Sequence, residues 1–260
     1  MDLGLANKRA LVTGASKGIG LAVAEALAQE GCHVDLAARD AARLGEVAQS
    51  IRAKHPVEVR IFPVDLARPD DQRRLAQSCG DDDILVNNAG SNPPGEIDAI
   101  EQDLWRASWD LKVFGYINMT REFYRRMKAR GAGVIVNVIG NSGERMSASY
   151  ILGSTGNIAL MGMTRALGGR SPDFGVRVLG VNPGLTNTER AERMLRGWSA
   201  SEHGTPERWQ EVMADMNLPF GRMGEASEVA AVVAFLASER ASYMSGTIVT
   251  VDGGATNRNA

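Results

Sequence analysis

The segment Thr13-Gly14-Ala15-Ser16-Lys17-Gly18-Ile19-Gly20 (TGASKGIG) decides how the rest of this sequence is interpreted. It follows the apolar run Arg9–Thr13 (RALVT) and precedes an amphipathic stretch, so we expect a strand before it and a helix after it. Its glycines permit a tight turn and let the backbone approach a pyrophosphate, while the helix N-terminus offers free N–H groups to that anion. A glycine pattern alone is weak evidence, but strand, loop and helix together predict a nucleotide-binding loop.

Further apolar, β-branched runs follow this segment, and amphipathic stretches such as 21–30 and Ala41–Lys54 separate them. Strand and helix in repetition mean parallel strands joined by right-handed crossovers. We therefore predict an α/β chain with a Rossmann-type, doubly wound parallel sheet of seven strands, in a single domain over residues 1–260. The predicted strands are Arg9–Thr13, His33–Ala38, 58–64, Ile84–Asn87, Gly133–Val138, 176–181 and 247–251.

The segment 187–220 is less regular and follows the sixth predicted strand. Ligands of open α/β sheets lie beyond the carboxyl ends of the strands, so this segment is a candidate substrate lid. A pair of surface helices without a ligand role is the alternative. Trp198, Trp209 and several methionines in the segment hint at a hydrophobic carbonyl substrate.

Composition argues against several classes of protein. The net charge is −2 and no long basic run is present, which argues against nucleic-acid binding. The apolar run 230–237 is too short to span a bilayer, and the start of the chain lacks the apolar region of a signal peptide. We therefore expect a cytoplasmic protein that does not associate with a membrane. Cys32 and Cys79 form no CxxC motif and are expected to be free thiols. The three histidines show no metal-ligand spacing, so no metal site is expected.

The spacing Gly-x-x-x-Gly-x-Gly resembles the nucleotide loop of the short-chain dehydrogenase/reductase family. Four more segments resemble family motifs in the same order: Asp65-Leu66, Asn87-Asn88-Ala89-Gly90, Asn182-Pro183-Gly184 with Thr186 and Thr188, and Val251-Asp252-Gly253-Gly254. The resemblance spans nearly the whole chain and implies a dinucleotide cofactor. The cofactor-binding residues that it implies are Gly14, Ser16, Lys17, Gly18, Ile19, Gly20, Asp65, Leu66, Asn88, Ala89, Gly90, Pro183, Gly184, Thr186 and Thr188.

The end of the second strand indicates which dinucleotide is bound. An acidic residue there would accept hydrogen bonds from a ribose 2′-hydroxyl, but this chain has Ala38 followed by Arg39. Lys17 lies in the glycine loop, so two cations and no acid favour NADP(H), with NAD(H) also possible. Both charges could instead be solvated surface charges. Asp40 is interpreted as the cap of the next helix.

The catalytic positions of the resembled family carry Asn, Ser, Tyr and Lys, the last two spaced Tyr-x-x-x-Lys. Such a tyrosine acts as general acid/base because a nearby cation stabilises its anion. Alignment on Thr164 and on Gly143 places the four positions at Lys112, Gly140, Gly153 and Asn157. All four therefore depart from the family pattern.

Two interpretations remain open. The first is an oxidoreductase of a small carbonyl or alcohol substrate with a rearranged site, in which Tyr150 is the acid/base, Lys112 the nearby cation and Ser142 the group that holds the substrate oxygen. Each residue also has an ordinary explanation, as a pocket aromatic, a surface lysine and a loop serine. The second interpretation is an NADP(H)-binding pseudoenzyme that acts as a sensor or partner protein without hydride transfer.

The resemblance also implies a homo-oligomer, either a dimer or a tetramer. We expect the helix at 149–167 and the helix–strand unit at 225–251 to lie at its interfaces. Small residues along 153–169 would allow two such helices to approach closely, or the helix to pack on its own sheet.

Overall fold

The computed structural model describes residues 2–258. The strands are β1 Arg9–Thr13, β2 His33–Ala38, β3 Val59–Pro63, β4 Ile84–Asn87, β5 Gly133–Val138, β6 Val176–Pro183, β7 Thr186–Asn187, β8 Gly224–Glu225 and β9 Ile248–Val251. Seven of them form one parallel sheet in the order β3-β2-β1-β4-β5-β6-β9, and β7 pairs with β8 outside it. The predicted doubly wound sheet of seven parallel strands is confirmed.

Nine α-helices of the described chain alternate with these strands: α1 Gly18–Gln29, α2 Ala41–Lys54, α3 Pro69–Ser78, α4 Gln102–Trp109, α5 Gly115–Arg130, α6 Ile151–Arg170, α7 Glu189–His203, α8 Trp209–Asp215 and α9 Ala226–Ala237. Side chains of a strand point alternately to the two faces of the sheet. Val34 and Leu36 of β2 therefore join the core under α1, α2 and α9, whereas Ala37 joins the core under α3 and α5.

The position of the crevice follows from the strand order. β1 pairs with β2 on one side and with β4 on the other, so the order of the strands reverses at β1. Loops that leave the carboxyl ends of β1 and β4 in opposite directions open a crevice, which is where open α/β sheets bind ligands.

Buried amides tie the sheet to its helices near this crevice. Asn87 Nδ2 donates to Asn137 Oδ1 at 2.9 Å and to Thr120 Oγ1 at 3.0 Å, and Asn137 Nδ2 donates to Thr164 Oγ1 at 3.0 Å. Each of these side chains is at most 1% exposed, so an unpaired amide would cost a full desolvation penalty. The network therefore fixes α5 and α6 against the ends of β4 and β5.

The two cysteines are free and buried, as the sequence predicts for free thiols. Burial raises the pKa of Cys32 to about 12 and also raises the pKa of Cys79, which makes both thiols poor nucleophiles. No helix within residues 2–258 combines the length and apolar character needed to cross a bilayer.

Sequence spacing gave no indication of a buried acidic cluster at the amino ends of the strands. Possible ligand atoms of Asp35, Cys79 and Asp82 lie within 4.8 Å of one another. Arg60 Nε and Arg9 Nη1 donate to Asp35 Oδ1 at 2.7 and 3.3 Å, so cations already neutralise this carboxylate. Burial, followed by the charge of Asp35, raises the pKa of Asp82 to about 8. The cluster is therefore an ion-pair network in which burial favours the protonated form of Asp82.

Candidate functional site

A cleft of about 700 Å³ opens at the carboxyl ends of β1 and β4, within the usual range for ligand sites. Eleven residues of the predicted cofactor set line it: Gly14, Ser16, Lys17, Gly18, Ile19, Arg39, Leu66, Asn88, Ala89, Gly90 and Thr188. Gly20, Asp65, Pro183, Gly184 and Thr186 do not line it. The unforeseen lining residues include Arg43, Glu189, Arg190 and Arg193.

At Gly14 and Gly20 the glycine loop is packed so closely that a side chain would clash with neighbouring atoms. A Cβ at Gly20 would lie 2.3 Å from the carbonyl oxygen of Gly14, and a Cβ at Gly14, whose φ is +69°, would lie 3.0 Å from Ala89 Cα. Thr13 Oγ1 accepts from the backbone N–H groups of Asn88 and Ala89 at 2.8 and 3.1 Å. The loops after β1 and β4 therefore form one rigid wall of the cleft.

The N-terminus of α1 fits a bound anion. Its N-cap residue is Lys17, which supplies no side-chain cap within the described chain, and its first turn contains no acidic residue. Asp40 accepts from the N–H of Arg43 and caps α2, as predicted, and Thr188 caps α7, whereas α3, α4, α6 and α8 of the described chain also lack a side-chain cap. An uncapped helix N-terminus that faces a cleft offers N–H groups and a positive dipole end to a pyrophosphate, so the residues present fit a dinucleotide.

Lys17, Arg39 and Arg43 line the cleft in this region, where the sequence predicted two cations, Lys17 and Arg39. Lys17 Nζ lies 3.2 Å from Glu189 Oε2, and Arg43 Nη1 lies 3.1 Å from the same oxygen. Hydrogen bonds from Arg43 and then from Lys17 lower the pKa of Glu189. Arg39 is exposed and lines the cleft beside them.

Tyr150 lies directly before α6, which begins at Ile151, and so serves as its N-cap residue. Tyr150 therefore does not share a helical face with Gly153, because the helix has not begun at this residue. Its ring nevertheless fills the space beside Gly153, where a Cβ would lie 2.0 Å from Tyr150 Cε1. The loop is anchored by Gly95, whose N–H donates to the carbonyl oxygen of Ser149 at 2.8 Å.

The cation that contacts Tyr150 is Arg190, a residue that the sequence analysis missed. Arg190 Nη2 donates to the Tyr150 hydroxyl at 3.0 Å and to the carbonyl oxygen of Asn92 at 3.1 Å. Its Nη1 donates to the carbonyl oxygen of Gly90 at 3.4 Å. No hydrogen bond joins Lys112 to Tyr150 within residues 2–258, so the hydrogen-bonded cation differs from the one expected.

Lys112 lies in a π-helical turn, Asp110–Phe114, between α4 and α5. Such turns often occur at functional sites. The residue is 7% exposed, which excludes the surface-lysine interpretation, and its Nζ donates to the carbonyl oxygen of Ile139 at 2.6 Å. Burial and then the charge of Arg190 lower the pKa of Lys112 to about 7. Its charge therefore changes near neutral pH.

Ser142 and Asn157 form a second polar group in this region. Asn157 Nδ2 donates to Ser142 Oγ at 2.8 Å and to the carbonyl oxygen of Gly140 at 3.2 Å. A Cβ at Gly140 would lie 2.9 Å from Asn157 Nδ2, so the glycine makes room for the amide. Since Ser142 Oγ accepts this bond, its own O–H can donate to a ligand oxygen.

The aromatic residues of segment 187–220 do not face the cleft. Trp198, Trp209 and Met213 pack on a small core of their own, formed by Ala191, Leu195, Val212 and Met223. No tryptophan is found among the cleft-lining residues of the described chain. These tryptophans therefore give no support to a hydrophobic substrate. The part of the segment that reaches the cleft is the first turn of α7.

Known proteins match the chain over most of its length. The sequence profile of the family described as short chain dehydrogenase matches residues 8–197. A galactitol 2-dehydrogenase (L-tagatose-forming) of Cereibacter sphaeroides is 38% identical over 253 residues, with 95% of this chain and 94% of that protein covered.

Solved structures agree with this assignment. The L-sorbose reductase of Gluconobacter frateurii in complex with NADPH and L-sorbose superposes with a TM-score of 0.92 at 33% identity, covering 100% of both chains. An NAD⁺-bound xylitol dehydrogenase superposes with a TM-score of 0.87 at 25% identity, covering 96% of this chain and 99% of its own. The chain belongs to the short-chain dehydrogenase family.

Proposed function

We propose that this protein is an NADP(H)-dependent oxidoreductase that interconverts a small carbonyl compound and its alcohol. The observation that carries the proposal is the uncapped N-terminus of α1, which faces a cleft lined by Lys17, Arg39 and Arg43. The named activities of the galactitol dehydrogenase and of the L-sorbose reductase support a polyhydroxylated substrate.

The cofactor, when bound, supplies or accepts the hydride, and the protein must supply or accept the proton. Tyr150 is the proposed proton donor, because its hydroxyl accepts from Arg190 and its ring fills the space beside Gly153. The positive charge of the guanidinium stabilises the negative charge that develops on the phenolic oxygen. Ser142 is proposed to donate to the substrate oxygen from the hydroxyl that Asn157 orients.

Lys112 has a different proposed role from the one the sequence alone assigned. Its Nζ is committed to the carbonyl oxygen of Ile139, so it acts on the site through its charge rather than through a hydrogen bond to Tyr150. Because its pKa is about 7, that charge is present in acid and lost in alkali. Lys112 thus adds a pH-dependent positive potential to the permanent charge of Arg190.

Turnover of a substrate panel tests this function. NADPH is mixed with ketoses, short aldehydes and aliphatic ketones, NADP⁺ is mixed with the matching alcohols, and absorbance of the reduced nicotinamide is followed. We expect turnover with at least one polyhydroxylated pair. Tight NADPH binding in calorimetry with no turnover anywhere in the panel would reject the oxidoreductase.

That outcome would favour the second candidate, an NADP(H)-binding pseudoenzyme that acts as a sensor or partner protein. The observation in its favour is the pair Gly153 and Asn157, at the positions where the family pattern has tyrosine and lysine. Asn157 donates hydrogen bonds to Gly140 and Ser142, and its amide cannot supply the positive charge of the lysine in the family pattern.

A homo-oligomer, either a dimer or a tetramer, also remains a proposal. An open groove of about 590 Å³ runs between α5 and α6, with Tyr124, Met163 and Leu167 in its wall, and Phe235 of α9 is 36% exposed. Further copies of the chain would cover these two apolar surfaces, which lie on opposite faces of the sheet. Light scattering coupled to size exclusion that returned a monomer would reject the assembly. The cytoplasmic location stays a prediction from the sequence.

A further inference from the structure

One carboxylate, that of Glu189, lies in the cleft and contacts two of the three cations Lys17, Arg39 and Arg43. Glu189, the first residue of α7, pairs with Lys17 of the glycine loop and with Arg43 of α2. These partners come from segments 172 and 146 residues away in the chain. The carboxylate thus bridges two walls of the cleft, and Arg39 lies on the same lining.

The cofactor proposed above would bring a second anion to the same cations. A phosphate monoester carries close to two negative charges at neutral pH and three strong acceptor oxygens. Two guanidinium groups and one ammonium group suit such a group better than they suit a single carboxylate. Both anions cannot keep Lys17 and Arg43 at once without strong repulsion between like charges.

We propose that Glu189 occupies the place of the cofactor's 2′-phosphate and is displaced when NADP(H) binds. This makes Glu189 a specificity-determining residue for the cofactor and adds Arg43 to Lys17 and Arg39 as a phosphate ligand. The inference rests on the proposed function, because it requires NADP(H) to bind in this cleft.

Displacing Glu189 from Lys17 and Arg43 should require little free energy. The side chains of Glu189, Lys17 and Arg43 are 52%, 44% and 43% exposed, and ion pairs of that exposure are weak. We therefore expect the phosphate to replace Glu189 at the cations. Binding must first break the Glu189–Lys17 and Glu189–Arg43 ion pairs. NADH carries a hydroxyl at the same position and does not compete with Glu189 for the cations.

The test compares Glu189→Gln with Glu192→Gln by titration calorimetry with NADPH and with NADH. Glu192 is the matched control, since it lies in the same first turn of α7 but pairs with Arg196 instead of with the cleft cations. Glu189→Gln should bind NADPH about three- to tenfold more tightly than the unmutated protein. Its affinity for NADH should be unchanged or lower, and Glu192→Gln should match the unmutated protein with both cofactors.

A second variant tests the cation side. Arg43→Gln should weaken NADPH binding about tenfold, the value of one charge-assisted hydrogen bond, and leave NADH binding unchanged. Equal NADPH affinity in Glu189→Gln and the unmutated protein would overturn the inference, as would an equal gain for NADH or an Arg43→Gln variant with normal NADPH affinity. Absence of NADPH binding to the unmutated protein would instead reject the proposed function itself.

Discussion

The cofactor cleft and the region around Tyr150 are organised in different ways. At the cofactor end, the glycine loop and the Asn87-Asn88-Ala89-Gly90 segment meet as the family motifs imply, and backbone atoms make most of the contacts. In the proposed catalytic region, the positions that sequence alignment assigns to the family's catalytic residues carry Lys112, Gly140, Gly153 and Asn157. The polar groups there are Tyr150, Arg190 and Ser142, which lie at other positions in the sequence.

This difference shows which part of a site can be relocated. A pyrophosphate cradle depends on close backbone approach, and a Cβ only 2.3 Å from the carbonyl oxygen of Gly14 leaves no alternative to Gly20. A proton donor requires only that a hydroxyl reach one point in space. The proposed donor, Tyr150, lies outside α6, and its ring occupies the space that the missing side chain of Gly153 leaves open.

The largest expected effect concerns Tyr150. Tyr150→Phe should lower turnover by about 10²–10⁴-fold, the usual contribution of a positioned general acid, and leave the Kd for NADPH nearly unchanged. Arg190→Met should lower turnover in the same direction because the phenolic oxygen loses its hydrogen-bonded cation. Full activity of Tyr150→Phe on any substrate found in the panel would show that this residue is not the proton donor.

Reversal of the cofactor preference comes next in size. Arg39→Asp removes one phosphate ligand and adds a like charge, so NADPH affinity should fall by about 10- to 100-fold while NADH binding is retained or improved. Arg106→Asp, an exposed arginine of α4 that does not line the cleft, is the control for net charge. An unmutated protein that binds NADH as tightly as NADPH would contradict the charge argument before any variant is made.

A methyl group at Gly20 tests the rigidity of the cofactor end. Gly20→Ala should lower the free energy of unfolding by about 1–3 kcal/mol through overpacking, and should weaken NADPH binding. Gly45→Ala in α2 is a matched control with no atom within 4 Å of the new Cβ, and it should stabilise the fold by about 0.5–1 kcal/mol. Chemical denaturation of both variants measures the difference, and equal stabilities would show that the loop can relax.

The buried ammonium group of Lys112 should make the stability of the protein depend on pH. The pKa of Lys112 is about 7 in the fold against 10.5 for an ordinary lysine, so the unfolded chain binds more protons between these values. Stability of the unmutated protein therefore rises with pH across this window, and the full cost of the buried charge applies below it.

Lys112→Met lacks this titration. Relative to the unmutated protein, its free energy of unfolding should be higher at pH 6 than at pH 9 by about 2–3 kcal/mol. Urea unfolding at both pH values measures this difference. Curves that remain parallel would mean that Lys112 stays charged in the fold.

The sequence predicted what local pattern controls. Arg9–Thr13, His33–Ala38, Ile84–Asn87 and Gly133–Val138 were predicted to the residue, because apolar runs between turn residues have no alternative to a buried parallel strand. The cap at Asp40 was equally local.

Contacts between segments that are distant in the sequence could not be predicted in the same way. Nothing near Arg190 in the sequence indicates Tyr150, 40 residues earlier, and nothing near Glu189 indicates Arg43. The sequence likewise gave no sign that Trp198 and Trp209 pack inward on the α7–α8 core rather than toward a ligand. In each case the pairing depends on how α7 is placed over the sheet, which no short-range pattern determines.

Consecutive residues at the start of α7 have partners in different segments: Glu189 pairs with Lys17 and Arg43, and Arg190 donates to Tyr150. One helical turn therefore connects the proposed 2′-phosphate site with the proposed proton donor. Thermodynamic linkage makes such a connection reciprocal: if a 2′-phosphate shifts this turn and changes substrate affinity by some factor, the substrate must change NADP(H) affinity by the same factor. Ordered binding of cofactor and substrate would then follow from the first turn of α7.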